Sequence, residues 1–301
     1  MTTNKFVQVA VGGAVTAAMF LSAVSGVSAT AFNGELHLDN FNTLYLKPDE
    51  RAEWWINNFL GGARYEEFCN PGNESCVSLV TNENPGDHFA RFNLPPSVAA
   101  SNMFVEAAMS ELRTYGVTGA PGIWFPTVGH SITFETVARW SAGYTANASG
   151  DAVGTTGIVM WNSPYEPGDT GNGLFREAFF GFNWTGKGTL GGFLEGLKVN
   201  VVYNGFPIIT DTPSFSINMN DWATYTAVWS VDANGVQSVE FSVNGQVVSQ
   251  HVLPVALTPL SVQIWSDNQD VQFGPFGLSI GYKSPVTVQN MDINSVLVKQ
   301  N

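Results

Sequence analysis

Past an apolar N-terminal stretch, apolar and polar residues alternate along most of the chain, and long helical periodicity is scarce. The last third shows this best. Tyr225, Ala227, Trp229 and Val231 share one face of a predicted strand, and Asp232-Ala233-Asn234-Gly235 then turns the chain. Val239, Phe241 and Val243 alternate with Glu240 and Ser242 as far as Asn244-Gly245, the pair that most favours a tight hairpin. Gln246-Val247-Val248-Ser249 begins the return strand. Further strands are predicted at 260–265, 286–289 and 295–299, and upstream at 103–113, 131–140, 157–161, 175–183 and 198–203. Gly, Pro, Asn and Asp separate them. One short helix is predicted over 49–60, with Pro48 and Asp49 as its start. No repeat and no low-complexity linker divides residues 32–301, so the pattern predicts a single all-β domain. About twelve to fifteen strands would form a β-sandwich of two antiparallel sheets.

The N-terminus changes the picture of where this domain works. Lys5 is the only charged residue before Glu35, and residues 6–27 are largely apolar or small. Ending in Val27-Ser28-Ala29-Thr30-Ala31, residues 1–31 read as a secretory signal peptide, cleaved after Ala29 or after Ala31. An uncleaved anchor is the alternative, and Gly12, Gly13 and Thr16 make it a poor one. Cleavage leaves residues 32–301 without a membrane-inserted segment, secreted or held at the cell surface. The two cysteines, Cys69 and Cys76, fit an oxidising compartment: close together, with Pro71-Gly72 turning the chain between them, they predict a local disulfide. Closing so short a loop contributes about 2.5 kcal/mol. Twelve Lys and Arg against 25 Asp and Glu leave a net charge of −13 without basic blocks, which excludes a nucleic-acid partner. The 13% aromatic content excludes disorder, because it supplies ample surface to bury.

The run Asp221-Trp222-Ala223-Thr224-Tyr225-Thr226-Ala227-Val228-Trp229, followed by Val239–Val243 and Asn244-Gly245-Gln246-Val247, resembles the concanavalin A-like lectin/glucanase superfamily. A strand like Leu260-Ser261-Val262-Gln263-Ile264-Trp265 follows there, and one like Met291-Asp292-Ile293-Asn294-Ser295-Val296-Leu297-Val298 closes the domain. The resemblance implies a jelly-roll sandwich with one concave sheet that holds carbohydrate. Sugars stack their C–H faces on aromatic rings and need amide or carboxylate partners for their hydroxyls. Among nine Trp, the candidates for such a groove are Trp124, Trp140, Trp161, Trp184 and Trp265. Gln263 joins them because period two puts it on the face of Trp265, opposite Val262 and Ile264.

Hydrolases of this superfamily, the laminarinase and lichenase-type glucanases, carry carboxylates as E-x-D-x-E or E-x-D-x-x-E on one strand, for retaining hydrolysis. In Phe175-Arg176-Glu177-Ala178-Phe179-Phe180-Gly181-Phe182, Glu177 matches the first Glu, Phe179 stands at the Asp, and Gly181 or Phe182 at the last Glu. One carboxylate cannot fill two roles. Elsewhere, Glu111 with Arg113 and Glu135 with Arg139 read as neutralising pairs, and a composite site of Glu111, Glu135 and Glu177 is the speculative alternative. The four His show no metal-ligand spacing, and the chain carries no cofactor motif. The resemblance adds a structural Ca²⁺, for which Asp292 near the closing strand and Glu35 or Asp39 near the first are the candidate ligands. The leading expectation is a secreted polysaccharide-binding protein without an intact hydrolase motif. The alternatives are a glycoside hydrolase acting on β-glucan-type polysaccharide through Glu177, and a cell-surface structural or interaction protein.

Overall fold

The computed structural model describes residues 36–39, 41, 54–60, 63–65, 69, 75–81, 88–96, 104–111, 124–162, 178–188, 194–204, 206–274 and 277–301. The first strands are β1 (Leu36–Asp39), β2 (Trp54–Leu60), β3 (Ala63–Tyr65), β4 (Cys76–Val80), β5 (Phe89–Leu94) and β6 (Val105–Glu111). Next come β7 (Ser131–Trp140), β8 (Thr155–Trp161), β9 (Ala178–Thr185), β10 (Gly196–Tyr203) and β11 (Phe206–Asp211). The C-terminal part adds β12 (Ala223–Val231), β13 (Gln237–Val243), β14 (Gln246–Val252), β15 (Ser261–Asp267), β16 (Gln269–Gly274), β17 (Gly277–Tyr282) and β18 (Gln289–Gln300). Among the described residues there is no helix.

Two eight-stranded antiparallel sheets carry the architecture. The back sheet runs β14-β13-β12-β7-β18-β5-β4, with β1 also on β18, and the front sheet runs β11-β10-β9-β8-β15-β6-β2-β3. A separate hairpin pairs β16 with β17. In β12 and β13 every second residue is buried, which is the alternation of a strand with one face on a core. Asn244 and Gly245 both take positive φ, the conformation a two-residue hairpin turn needs, and so join β13 to β14.

The sheets meet through aromatic rings. From β9, Phe180 lies edge-on to Trp229 of β12 at 5.6 Å, while Phe182 meets Tyr225 at 5.1 Å and Phe241 of β13 at 5.7 Å. Such edge-to-face pairs add to the burial of the rings themselves. At the open edge of the sandwich, Asp211 of β11 takes hydrogen bonds from β14, 2.5 Å from Ser249 Oγ and 2.6 Å from His251 Nε2.

Several expectations are corrected. Residues 54–60 of the expected helix form β2, because Trp54 and Ile56 turn to the core at strand spacing and β6 and β3 supply ladder partners on both sides. Residues 49–53 lie outside the described residues. The strands expected at 286–289 and 295–299 are instead one long β18, starting at Gln289. A bulge between Ile293 and Ser295 shifts its phase, so Met291, Ile293, Val296 and Val298 all reach the core and the pattern reads as broken. Cys69 and Cys76 form the expected disulfide, at the start of β4. The reading of residues 1–31 as an export signal lies outside the described residues.

Phe182→Ala removes a ring packed against both Tyr225 and Phe241. It is expected to cost about 3–5 kcal/mol, measured as the loss of unfolding free energy in urea.

Candidate binding face of the front sheet

Because the front sheet buries one face in the sandwich, period two dictates what stands on the other. Ile158 and Met160 of β8, Phe180, Phe182 and Trp184 of β9, Leu197, Val199 and Val201 of β10, and Val262 and Ile264 of β15 belong to the core. Their neighbours therefore point outward: Val159 and Trp161, Phe179 and Asn183, Lys198 and Asn200, Gln263 and Trp265. The register lines these up across the strands. Asn200 pairs with Gly181, Gly181 with Val159, Val159 with Gln263, and Gln263 with Ser110 of β6. One step along, Lys198, Asn183, Gly157, Trp265 and Ala108 form the parallel row.

Three rings make a contiguous aromatic patch on this face. Trp161 lies 5.5 Å from Phe179 and 5.7 Å from Trp265 between ring centroids. Trp265 lies over the backbone of Gly157, where a Cβ would overlap its indole carbons. Its Nε1 donates to Thr155 Oγ1 at 3.0 Å, which fixes the ring's rotation. Beside the rings stand amides. Asn200 Nδ2 donates to Asn183 Oδ1 at 3.4 Å. Asn200 and Gln263 keep only 7% and 6% exposure, yet no protein donor reaches Asn200 Oδ1 or Gln263 Oε1.

The carboxylates gather at one end. Asp267 is opposite Glu106 in the β15–β6 register. Its Oδ1 accepts from Thr155 Oγ1, Thr155 N and Gln269 N at 3.0, 3.1 and 2.9 Å. Burial pushes the Asp267 carboxyl up to about 7, against the pull of those hydrogen bonds. Thr155 Oγ1 thus links Trp265 to Asp267 directly. Asp270, next along the chain, pairs with Lys283 at 3.0 Å.

The residues singled out from the sequence divide sharply. Trp161, Trp265 and Gln263 come together on the outward face. Trp124, Trp140 and Trp184 do not: all three are in the core between the sheets. Their indole N–H groups donate inside the protein, to Glu111 Oε2, Thr156 Oγ1 and the Thr145 carbonyl. Glu177 lies outside the described residues. Glu111 is buried toward the core and also accepts from Val262 N at 3.3 Å, whereas Glu135 belongs to β7 of the back sheet. These two carboxylates therefore share no site. Arg139 turns not to Glu135 but to Asp292, at 3.1 Å.

That contact also bears on Asp292, the candidate Ca²⁺ ligand. Arg91 binds both of its oxygens, at 2.7 and 2.9 Å, and Arg139 takes one of them as well. Two guanidinium groups occupy the acceptor sites and repel a cation. Among the described residues no cluster of three or more His, Cys, Asp or Glu is placed to hold a metal ion.

Phe179, Asn183, Asn200 and Ser110 were missed as members of the face. The available signal was period two on the strands already predicted, but only the register shows that they line up with Gln263.

Two large antiparallel sheets packed face to face in this order define a concanavalin A-like jelly roll, the fold implied by the resemblance of residues 221–298. No protein-family model matches the sequence, and no curated protein matches it. Among solved structures the chain is similar to an endo-1,3-beta-glucanase from Streptomyces sioyaensis, with a TM-score of 0.54 and 14% identity over 88% of this chain and 95% of that one. It is also similar to a beta-glucanase of Bacillus licheniformis, at TM-score 0.43 and 14% identity over 88% of this chain and 98% of that one. An endo-beta-1,4-glucuronan lyase from the fungus Trichoderma reesei follows at TM-score 0.46 and 11% identity, over 83% and 95%. At such identities the likeness is one of fold.

Two expected outcomes follow from this face. An acid held at about 7 when folded and about 4 when unfolded keeps its proton in the native state alone between those values. Its contribution is therefore most favourable below pH 4, falls as the pH rises to 7 and is level above, a loss of at most about 4 kcal/mol. Asp267→Asn keeps an acceptor oxygen but cannot ionise, so the wild-type-minus-variant stability should decline between pH 4 and 7 in urea titrations. Gly157→Ala should lift the Trp265 ring off the strand, changing the near-ultraviolet circular dichroism and costing about 1–3 kcal/mol.

Proposed function

We propose that the chain is a secreted polysaccharide-binding protein, with the outward face of the front sheet as its ligand site and without an intact hydrolase motif. The observation that carries this reading is the patch of Phe179, Trp161 and Trp265 beside the amides of Asn183, Asn200 and Gln263. Rings held by their neighbours offer a platform for sugar C–H faces at little entropic cost, and amides match hydroxyl groups. The outward positions of β9 include Phe179 and Gly181, so that face of the strand offers no carboxylate there for a retaining mechanism. Export is supported by the N-terminal apolar run and by the Cys69–Cys76 disulfide.

Affinity electrophoresis against a polysaccharide panel tests the reading. At least one polysaccharide should retard the protein without release of reducing ends, and Trp265→Ala or Trp161→Ala should weaken binding about tenfold. Reducing-end release that Glu177→Gln abolishes would establish the hydrolase reading instead. No retardation by any polysaccharide would leave the interaction-protein reading.

A further inference from the structure

We infer that the ligand of this face is an uncharged, hydroxyl-rich polysaccharide, and that Asn200 and Gln263 select it against polymers of uronic acids. The inference rests on the polysaccharide reading above and adds the chemical class of the sugar. Its basis is the polar atoms the face presents. Asn200 Nδ2 is engaged with Asn183 Oδ1, while Asn200 Oδ1 is buried without a protein donor. Gln263 Oε1, three strands away in the same cross-strand row, is likewise buried and without a protein donor. Three interstrand steps span roughly 14 Å, longer than one sugar ring, so the two acceptors meet different units of one polymer.

A hydroxyl can donate to such an oxygen; an ionised carboxylate has only acceptors and is repelled by it. Binding a carboxylate also calls for Arg or Lys, with which it forms its strong, charge-assisted contacts. Among the described outward residues of β6, β8, β9, β10 and β15, Lys198 is the one cation, and its Nζ donates to Thr212 Oγ1 at 2.6 Å. Lys283, near the far end, is paired with Asp270 and the Lys187 carbonyl.

The test uses matched pairs: soluble β-1,3-glucan, mixed-linkage β-glucan and β-mannan, each with its C6-carboxylated derivative. The two forms share a backbone and differ in charge. Isothermal titration of the full exported protein should give at least tenfold tighter binding to the neutral member of a pair. Asn200→Leu and Gln263→Leu, checked for native circular dichroism, should each weaken the neutral ligand about tenfold and narrow the neutral-to-charged ratio. Gln263→Lys should narrow that ratio further by adding a cation. Equal or tighter binding of a carboxylated polymer to the wild type overturns the inference while leaving the polysaccharide reading intact. So does an unchanged ratio in all three folded variants. Absence of binding to every polymer overturns both.

Discussion

The packing of β9 against β12 and β13 is the constraint on which the rest of the molecule turns. Phe180 and Phe182 enter the sandwich between Trp229, Tyr225 and Phe241, and no other face of β9 could replace them there. A slip of one residue would send these rings to the outside and bring Phe179, Gly181 and Asn183 into a core shaped for large side chains. Since β8 and β10 pair with β9 on either side, their registers follow from it. The alignment of Asn200, Val159 and Gln263 across the sheet is thus a consequence of core packing rather than of any attraction among those residues.

The outward face shows what such a fixed scaffold makes affordable. A polar atom with no donor is tolerated in a core only at a cost of about 1–3 kcal/mol, yet two amide oxygens stand in that condition within one row. Gly157 leaves its position open for the indole of Trp265, and the hydroxyl of Thr155 holds that indole by its N–H while leaning on Asp267. The back sheet differs. On its outer side Asp292 is shared between two arginines, and the guanidinium of Arg139 is stacked 4.4 Å above Trp222.

Legibility in the sequence tracked how local the determining interaction is. The β12–β13–β14 meander was readable because strict alternation and Asn244-Gly245 are properties of adjacent residues. The bulged β18 read as two pieces, since a phase shift looks like an interruption when the pairing strand is not seen. Residues 54–60 could be read as the end of a helix because short apolar runs do not distinguish the two periods, and the partners that decide the matter, β3 and β6, are separate strands. The short strands β1, β3, β4, β5, β11, β16 and β17 passed unnoticed for the same reason: most of their stabilisation comes from a neighbour.

By itself the sequence determined the all-β class, the antiparallel sandwich, the disulfide and the shared face of Gln263 and Trp265, because alternation, turn chemistry and cysteine spacing act within a few residues. Which tryptophans line the outward face and which fill the core was decided only by the tertiary structure. Trp161 and Trp184 both sit on front-sheet strands bounded by similar residues, and nothing local distinguishes them. Period two divides a strand into two faces without saying which is inside; that assignment belongs to what packs against the sheet, and it places Trp184 in the core against Tyr144 and leaves Trp161 on the other face.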